Sequence, residues 1–310
     1  MMSDYSVVLE ASESRSLGEG MTMHATITVG ARARTYTVVG DLDGPEGRAL
    51  VLVFHGSRQD GATHREFTGH VLDDLAHDGR AVVAYLDGHR GNWNDARAES
   101  AFPARRDQVD DVAFARALVD ELQRTHHIDR GRVIGLGFSN GGQMIFRLLH
   151  EASDLLAGGV IVSATMPVRE SFLSGYAETA ERSVPITLIH GTTDPIIPFQ
   201  GGRMPWWARK VFKVDGVSLS APATAEYFAR RNGISATPEV TALPHRGAKR
   251  RPTRVERATY SEPNKSPVTI YTVIDGGHTV PSPKAGPAIV GRTATDISID
   301  EVVSDLIDLI

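Results

Sequence analysis

Three residues of this chain have the types and the order that acyl transfer needs: Ser139, Asp194 and His278. Ser139 sits in Gly137-Phe138-Ser139-Asn140-Gly141-Gly142. An apolar run (Val133, Ile134, Leu136, Phe138) precedes it, and a segment with Met144, Ile145, Leu148 and Leu149 at helical spacing follows. Strand, tight turn and helix with a serine at the apex is the context in which a G-x-S-x-G motif presents a nucleophile. A hydroxyl attacks an acyl carbon only if a base takes its proton, so the motif demands an acid and then a histidine further along, each after a strand. Asp194 follows the apolar run Pro185–Ile189, and His278 follows Val268–Ile274. The expected roles are nucleophile for Ser139, general base for His278 and orienting carboxylate for Asp194. Two backbone donors should receive the oxyanion: the N–H of Asn140, and one after the strand at Ala49–Phe54, where Ser57 is the leading choice with Arg58 next.

Competing readings of the same residues are weaker. Gly135-Leu136-Gly137 resembles half of a dinucleotide fingerprint, but Asn140 stands where the third glycine belongs and no acidic residue closes a following strand. Asp194 before Pro195 would also suit a plain turn. Of the histidines well beyond the Ser139 turn, His190 precedes the proposed acid and His245 follows no strand, which leaves His278. His55 in His-Gly-Ser reads as a structural donor within its loop. His126 and His127 are adjacent and point apart on a helix, so they make no metal pair, and no cofactor or metal is expected. Trp206-Trp207 reads either as a wall for an acyl or aromatic group or as a packed pair under a loop. The basic run from 245 to 257 reads as a solvated connection.

The elements that must position these residues alternate strand and helix. Met23–Val29 and Thr35–Val39 alternate around a Gly30-Ala31-Arg32 turn as an antiparallel hairpin. Ala49–Phe54 is apolar throughout, as a strand buried on both faces would be. Helices are expected over Thr63–His77 and over Arg106–Thr125, the latter with Val109, Val112, Ala113, Ala117, Leu118 and Leu122 as its apolar stripe. Further strands are expected at Arg80–Leu86 and Gly158–Val162, and helices at Thr224–Arg231 and Ile299–Ile310. The fold class is α/β: a mostly parallel sheet with an N-terminal antiparallel hairpin and helices on both faces, whose sites lie beyond the carboxyl ends of the strands. Residues 1–20 read as a flexible arm and 21–310 as one domain, with a lid or insertion around 196–220.

Composition limits the functions open to such a fold. The 310 residues are 41% hydrophobic and 23% charged, enough for a substantial core. A net charge of −5 gives no reason to expect nucleic acid or an anionic membrane as partner. The absence of cysteine excludes disulfides and thiolate chemistry. Residues 1–22 lack the apolar core of about 7–15 residues that a signal peptide carries, and no run approaches the roughly 20 residues of a membrane helix, so a cytoplasmic protein is expected.

The chain resembles a known group. His55-Gly56-Ser57, Trp93-Asn94-Asp95, Val109-Asp110-Asp111-Val112, the Ser139 turn, His190-Gly191-Thr192-Thr193-Asp194 and Gly276-Gly277-His278-Thr279 are together similar to the polyhydroxybutyrate depolymerase-like esterases, which include feruloyl and acetylxylan esterases of carbohydrate esterase family 1. The resemblance covers roughly residues 25 to 290. It implies an α/β-hydrolase fold and the triad already reached from chain order; Trp93, Trp206 and Trp207 are expected as substrate-binding residues. The chain departs from the group at Val280-Pro281, where relatives often carry Trp-Pro, and in having no cysteine. The expectation is a serine esterase acting on a soluble ester of a short-chain, hydroxyacid-oligomer or aromatic acid. A serine peptidase of the same fold, or a binding protein that has lost catalysis, remains the alternative; oligomeric state is left open.

Overall fold

A computed structural model of the chain describes residues 7–8, 22–173, 179–246, 253–283 and 286–310. In chain order its elements begin with β1 (Val7–Val8), β2 (Thr22–Val29), β3 (Arg32–Val39), β4 (Arg48–Phe54), α1 (Gly61–Phe67), α2 (Asp74–His77), β5 (Ala81–Leu86), α3 (Pro103–Arg106) and α4 (Asp111–His126). Then come β6 (Ile128–Phe138), α5 (Asn140–Glu151), β7 (Gly158–Val162), β8 (Ile186–Gly191), α6 (Trp206–Phe212), α7 (Ala221–Arg231), β9 (Glu239–Ala242), β10 (Arg254–Tyr260), β11 (Val268–Ile274) and α8 (Ile299–Ile307).

The strands form one sheet in the order β1-β2-β3-β5-β4-β6-β7-β8-β11-β10-β9. Neighbours from β5 to β11 are parallel, and antiparallel strands flank them at both ends. The period of two along β4 divides the core. Leu50, Leu52 and Phe54 pack with α4, α5 and α7, whereas Ala49, Val51 and Val53 pack with α2 and α8. All seven residues of β4 are buried, as a strand covered on both faces must be.

Four sequence expectations need correction. The helix expected over Thr63–His77 is interrupted: Gly69 and His70 take positive φ (70° and 63°), ending α1 before a 3-10 turn leads into α2. The helix expected over Arg106–Thr125 is broken at Gln108 (φ 47°), and Asp110 caps α4 by accepting from the N–H of Ala113. Its buried face therefore runs through Phe114, Ala115, Ala117, Leu118, Val119 and Leu122, with Val112 only partly buried at its border. The basic stretch is only partly a connection, because Arg254 and Arg257 lie in β10, which pairs with β9 and β11 at the sheet edge. Residues 247–252, and the expected arm apart from Val7–Val8, lie outside the described residues; β1 pairs with β2.

Candidate active site

Ser139 stands alone between β6 and α5, with φ 54° and ψ −111°. Positive φ at a non-glycine residue costs on the order of 1–3 kcal/mol and persists only where the surroundings impose it. Here they do: Ser139 N–H donates to Val162 O (2.9 Å), and Ser139 O accepts from Gln143 N–H (3.1 Å). The flanking glycines have a steric cause. A Cβ on Gly141 would lie 1.9 Å from Phe54 O, and one on Gly137 would lie 2.3 Å from Gly141 O. The start of α5 thus presses on the end of β4, which no larger residue allows.

Asp194 and His278 meet at the exits of two adjacent parallel strands. Register pairs His190 with Thr272 and Gly191 with Val273, and Thr193 N–H then donates to Gly276 O (2.9 Å). His278 Nδ1 lies 2.7 Å from Asp194 Oδ2, both groups buried. The other carboxylate oxygen accepts from the N–H groups of Ile196 (2.8 Å) and Ile197 (2.9 Å). Burial pushes the Asp194 carboxyl up, but the His278 imidazole and these donors outweigh it and hold the carboxyl below its ordinary value. An ionised Asp194 keeps the proton on Nδ1 of His278 and leaves Nε2 as the acceptor. The His278 ring sits 5.0 Å from that of Phe138, the residue before Ser139.

Backbone donors face the same edge. Asn140 is the first residue of α5, where N–H groups have no helical partner. Its side chain is fixed, accepting from Trp93 N–H (2.9 Å) and donating to Asp95 Oδ2. In the loop after β4, Gly56 N–H donates to Gln59 Oε1 (3.1 Å) and Arg58 N–H donates to Gly91 O (2.7 Å). Ser57 N–H, between them, has no acceptor among the described residues. Arg58 is therefore not a second free donor.

His55 has the structural part expected of it. Its Nδ1 donates to Gly56 O (2.7 Å), its Nε2 accepts from Gly88 N–H (2.9 Å), and burial lowers its pKa. Trp93 differs from expectation. It is fully buried against Phe54 and His55, with Nε1 donating to His55 O (2.9 Å), so it supports the loops beneath the site and offers no face to a substrate. Trp206 and Trp207 lie on the surface of α6, 71% and 40% exposed. His245 pairs with Asp296 (2.8 Å). His190, buried beside Asp194, donates through Nε2 to Ile197 O (3.0 Å) and is held neutral by burial.

Sequence reasoning gave no role to Asp95 and Asp111. Asp95 is fully buried and receives the Asn140 amide and the Arg97 guanidinium. Asp111 is also fully buried; it pairs with Arg34 (2.8 Å) and accepts from Asn94 N–H (2.7 Å). Both lie in the Trp-Asn-Asp and Val-Asp-Asp-Val boxes, and that pairing was the available signal. A cavity with room for about one water is lined by Gln143, Thr165, Ile197, Pro198 and Met204, beside the first turn that follows Ser139.

Residues 91–208 match the phospholipase/carboxylesterase family. A Nocardia uniformis subsp. tsuyamanensis protein named as an esterase, NocK, is 32% identical over 305 residues, covering 95% of this chain and 85% of its own length. Feruloyl esterase B of Piromyces equi is 28% identical over 122 residues, covering 39% of this chain and 22% of its own. Among solved structures, acetyl xylan esterase from Aspergillus awamori shares the fold at a TM-score of 0.51 and 14% identity, over 80% of this chain and 89% of that one.

Proposed function

We propose, from the premise that this chain belongs to the phospholipase/carboxylesterase family of α/β-hydrolases and is an esterase, that it cleaves a small carboxylic ester through Ser139, His278 and Asp194. The observation that carries this reading is the 2.7 Å bond between His278 Nδ1 and Asp194 Oδ2, at the sheet edge where Ser139 occupies the apex of its turn.

The chemistry follows from the orientation of each group. Ser139 Oγ attacks the ester carbonyl carbon as its proton passes to His278 Nε2, and the carbonyl electron pair moves onto oxygen. The N–H groups of Asn140 and Ser57 receive that oxyanion. Collapse breaks the ester C–O bond; the alcohol leaves with the proton from Nε2, and the acyl group stays on Ser139. Water then repeats the sequence, releasing the acid and restoring the serine. Asp194 remains ionised throughout and stabilises the transient imidazolium.

The acyl arm lies along the end of α6, which the Arg58–Val211 bond holds beside the Ser57 loop, and Trp206 and Trp207, exposed at the start of that helix, border the mouth and suit a flat aromatic group. A panel of p-nitrophenyl esters of increasing acyl length, with methyl ferulate, tests this in wild type and Ser139→Ala. The expected result is turnover of esters that is lost by at least a thousandfold in the variant. Turnover retained by Ser139→Ala overturns the reading; arylamides cleaved faster than esters replace it with a peptidase.

A further inference from the structure

The loop carrying the Ser57 donor also grips α6. Arg58 takes φ 63° and its N–H donates to Gly91 O (2.7 Å), which fixes its backbone. Its guanidinium then reaches across to the other side of the site. Nη2 donates to Val211 O (2.8 Å), and the group stacks over the Phe212 ring at 5.5 Å. Val211 and Phe212 end α6, and Lys213 terminates it with φ 54°. The last carbonyls of a helix lack intrahelical partners, and a cation there is favourable. Arg58 thus caps α6 from a separate loop.

The helix has few other ties. Ala208 is the buried residue of α6, and the end that Arg58 contacts is also held by Ala101 N–H donating to Lys213 O (3.1 Å). Among the described residues, Arg58 is the side chain that hydrogen-bonds α6 to the loop of Ser57.

We propose that Arg58 is a positioning residue that sets α6 and the Ser57 donor in one fixed relation. The proposal rests on the serine-esterase reading above. An ester offers two parts of one acyl group to the enzyme: the carbonyl oxygen goes to the Asn140 and Ser57 donors, and the acyl chain runs along the end of α6, where Val211 and Phe212 stand against the loop of Ser57. If α6 shifts relative to the loop, a long acyl chain cannot be seated while its oxygen reaches both donors. Acetate has no chain to seat, so the shift leaves it unaffected. The effect of removing Arg58 therefore depends on acyl length, because a displacement of about 1 Å already costs up to 10²-fold in a well-oriented reaction.

The test compares p-nitrophenyl acetate, butyrate and hexanoate in wild type, Arg58→Ala, Arg58→Lys, Phe212→Ala and the Arg58→Ala/Phe212→Ala double variant, with melting temperature followed alongside. Expected for Arg58→Ala is a kcat/KM loss of about tenfold on butyrate and hexanoate, less than twofold on acetate, and a melting temperature close to wild type. Arg58→Lys keeps a donor for Val211 O and recovers part of the loss. The double variant loses no more than the worse single one, because both act through one contact. Equal losses on all three esters, or none on any, overturn the proposal. Ser139→Ala and fluorophosphonate labelling of Ser139, run in parallel, separate the two failures. If turnover does not depend on Ser139, the site reading falls and takes this one with it. If it does, and Arg58→Ala matches wild type, only the role of Arg58 falls.

Discussion

The two sides of the site are held by different physics. On the side of β4, β5 and β6, the loops are tied to one another by buried polar bonds: Asn140 to Asp95 and Trp93, Trp93 to His55, Asn94 to Asp111, and Asp111 to Arg34. On the side of α6, contacts lie at the surface: Arg58 on Val211, and Arg203 and Arg209 on Asp215 at 3.4 and 3.2 Å. A buried polar group is costly unless paired, so a satisfied buried network admits one arrangement. Exposed pairs contribute about 0–1 kcal/mol and leave an element free to adjust. The proposed nucleophile and its oxyanion donor Asn140 stand on the first kind of support, and the residues that would choose the acyl group stand on the second.

The contrast is broken hardest at Asp95. Replacing it by Ala leaves the Arg97 guanidinium and the Asn140 amide without their buried acceptor. Removing one partner of a buried ion pair typically costs about 3–5 kcal/mol. Asp95→Ala is expected to lower stability by that amount in urea unfolding and to reduce esterase turnover with it, since the Asn140 donor loses its support. A variant as stable as wild type would show that the network beneath Ser139 is not what holds the turn.

Acid should act on the first side before the second. Burial, the leading cause in each case, lowers the pKa of His64 to about 3 and those of His126 and His150 to about 4. The unfolded chain has ordinary imidazoles near 6.5, so it binds protons that the folded chain does not. The stability these neutral histidines carry is complete above pH 6.5, and it is lost as pH falls from there toward the folded values. The slope is up to about 1.4 kcal/mol per pH unit for each group. His64 stacks on Phe138 and His150 lies on α5, whereas residues 198–219 contain no histidine. Urea midpoints should drop between pH 7 and pH 5, and His64→Gln should flatten that drop. An unchanged slope in the variant would remove His64 from this account.

The same division explains what could be read from the sequence. Continuous apolar runs mark buried strands, so β4 and β7 were legible almost to the residue. The turn at Ser139 was legible because Gly137 answers to a steric contact inside one strand–helix unit, although Gly141 against Phe54 and Gly142 against Ala164 are long-range. The break at Gln108 and the cap at Asp110 were missed because charged residues on both sides fit a helix equally well, and packing against β6 and β2 selects the face of α4. The charged β10 hid as a solvated stretch because Arg254, Glu256 and Arg257 keep their side chains exposed although the strand pairs on both sides. Trp93 read as a substrate contact because it stands in a polar loop. Its burial comes from Phe54 and His55, which lie 39 and 38 positions earlier in the chain and give no local sign of it.

The smallest effect on stability is expected at Trp206. At 71% exposure, truncation to Ala should change stability by no more than about 0.5 kcal/mol. If the ring borders the mouth of the site as proposed, an aromatic ester loses a stacking partner worth about 0.5–1.5 kcal/mol. That is roughly a two- to tenfold rise in KM for methyl ferulate, with kcat unchanged because the contact is made equally in the ground and transition states. Acetate esters, which present no ring to it, should be indifferent. Asp95→Ala and Trp206→Ala then form opposite limits: one lowers stability and turnover on every substrate, the other moves only the KM of one class. A Trp206→Ala protein that melted several degrees lower, or that lost kcat on acetate, would mean that α6 belongs to the rigid side, and the distinction between the two supports would have to be redrawn around Arg58.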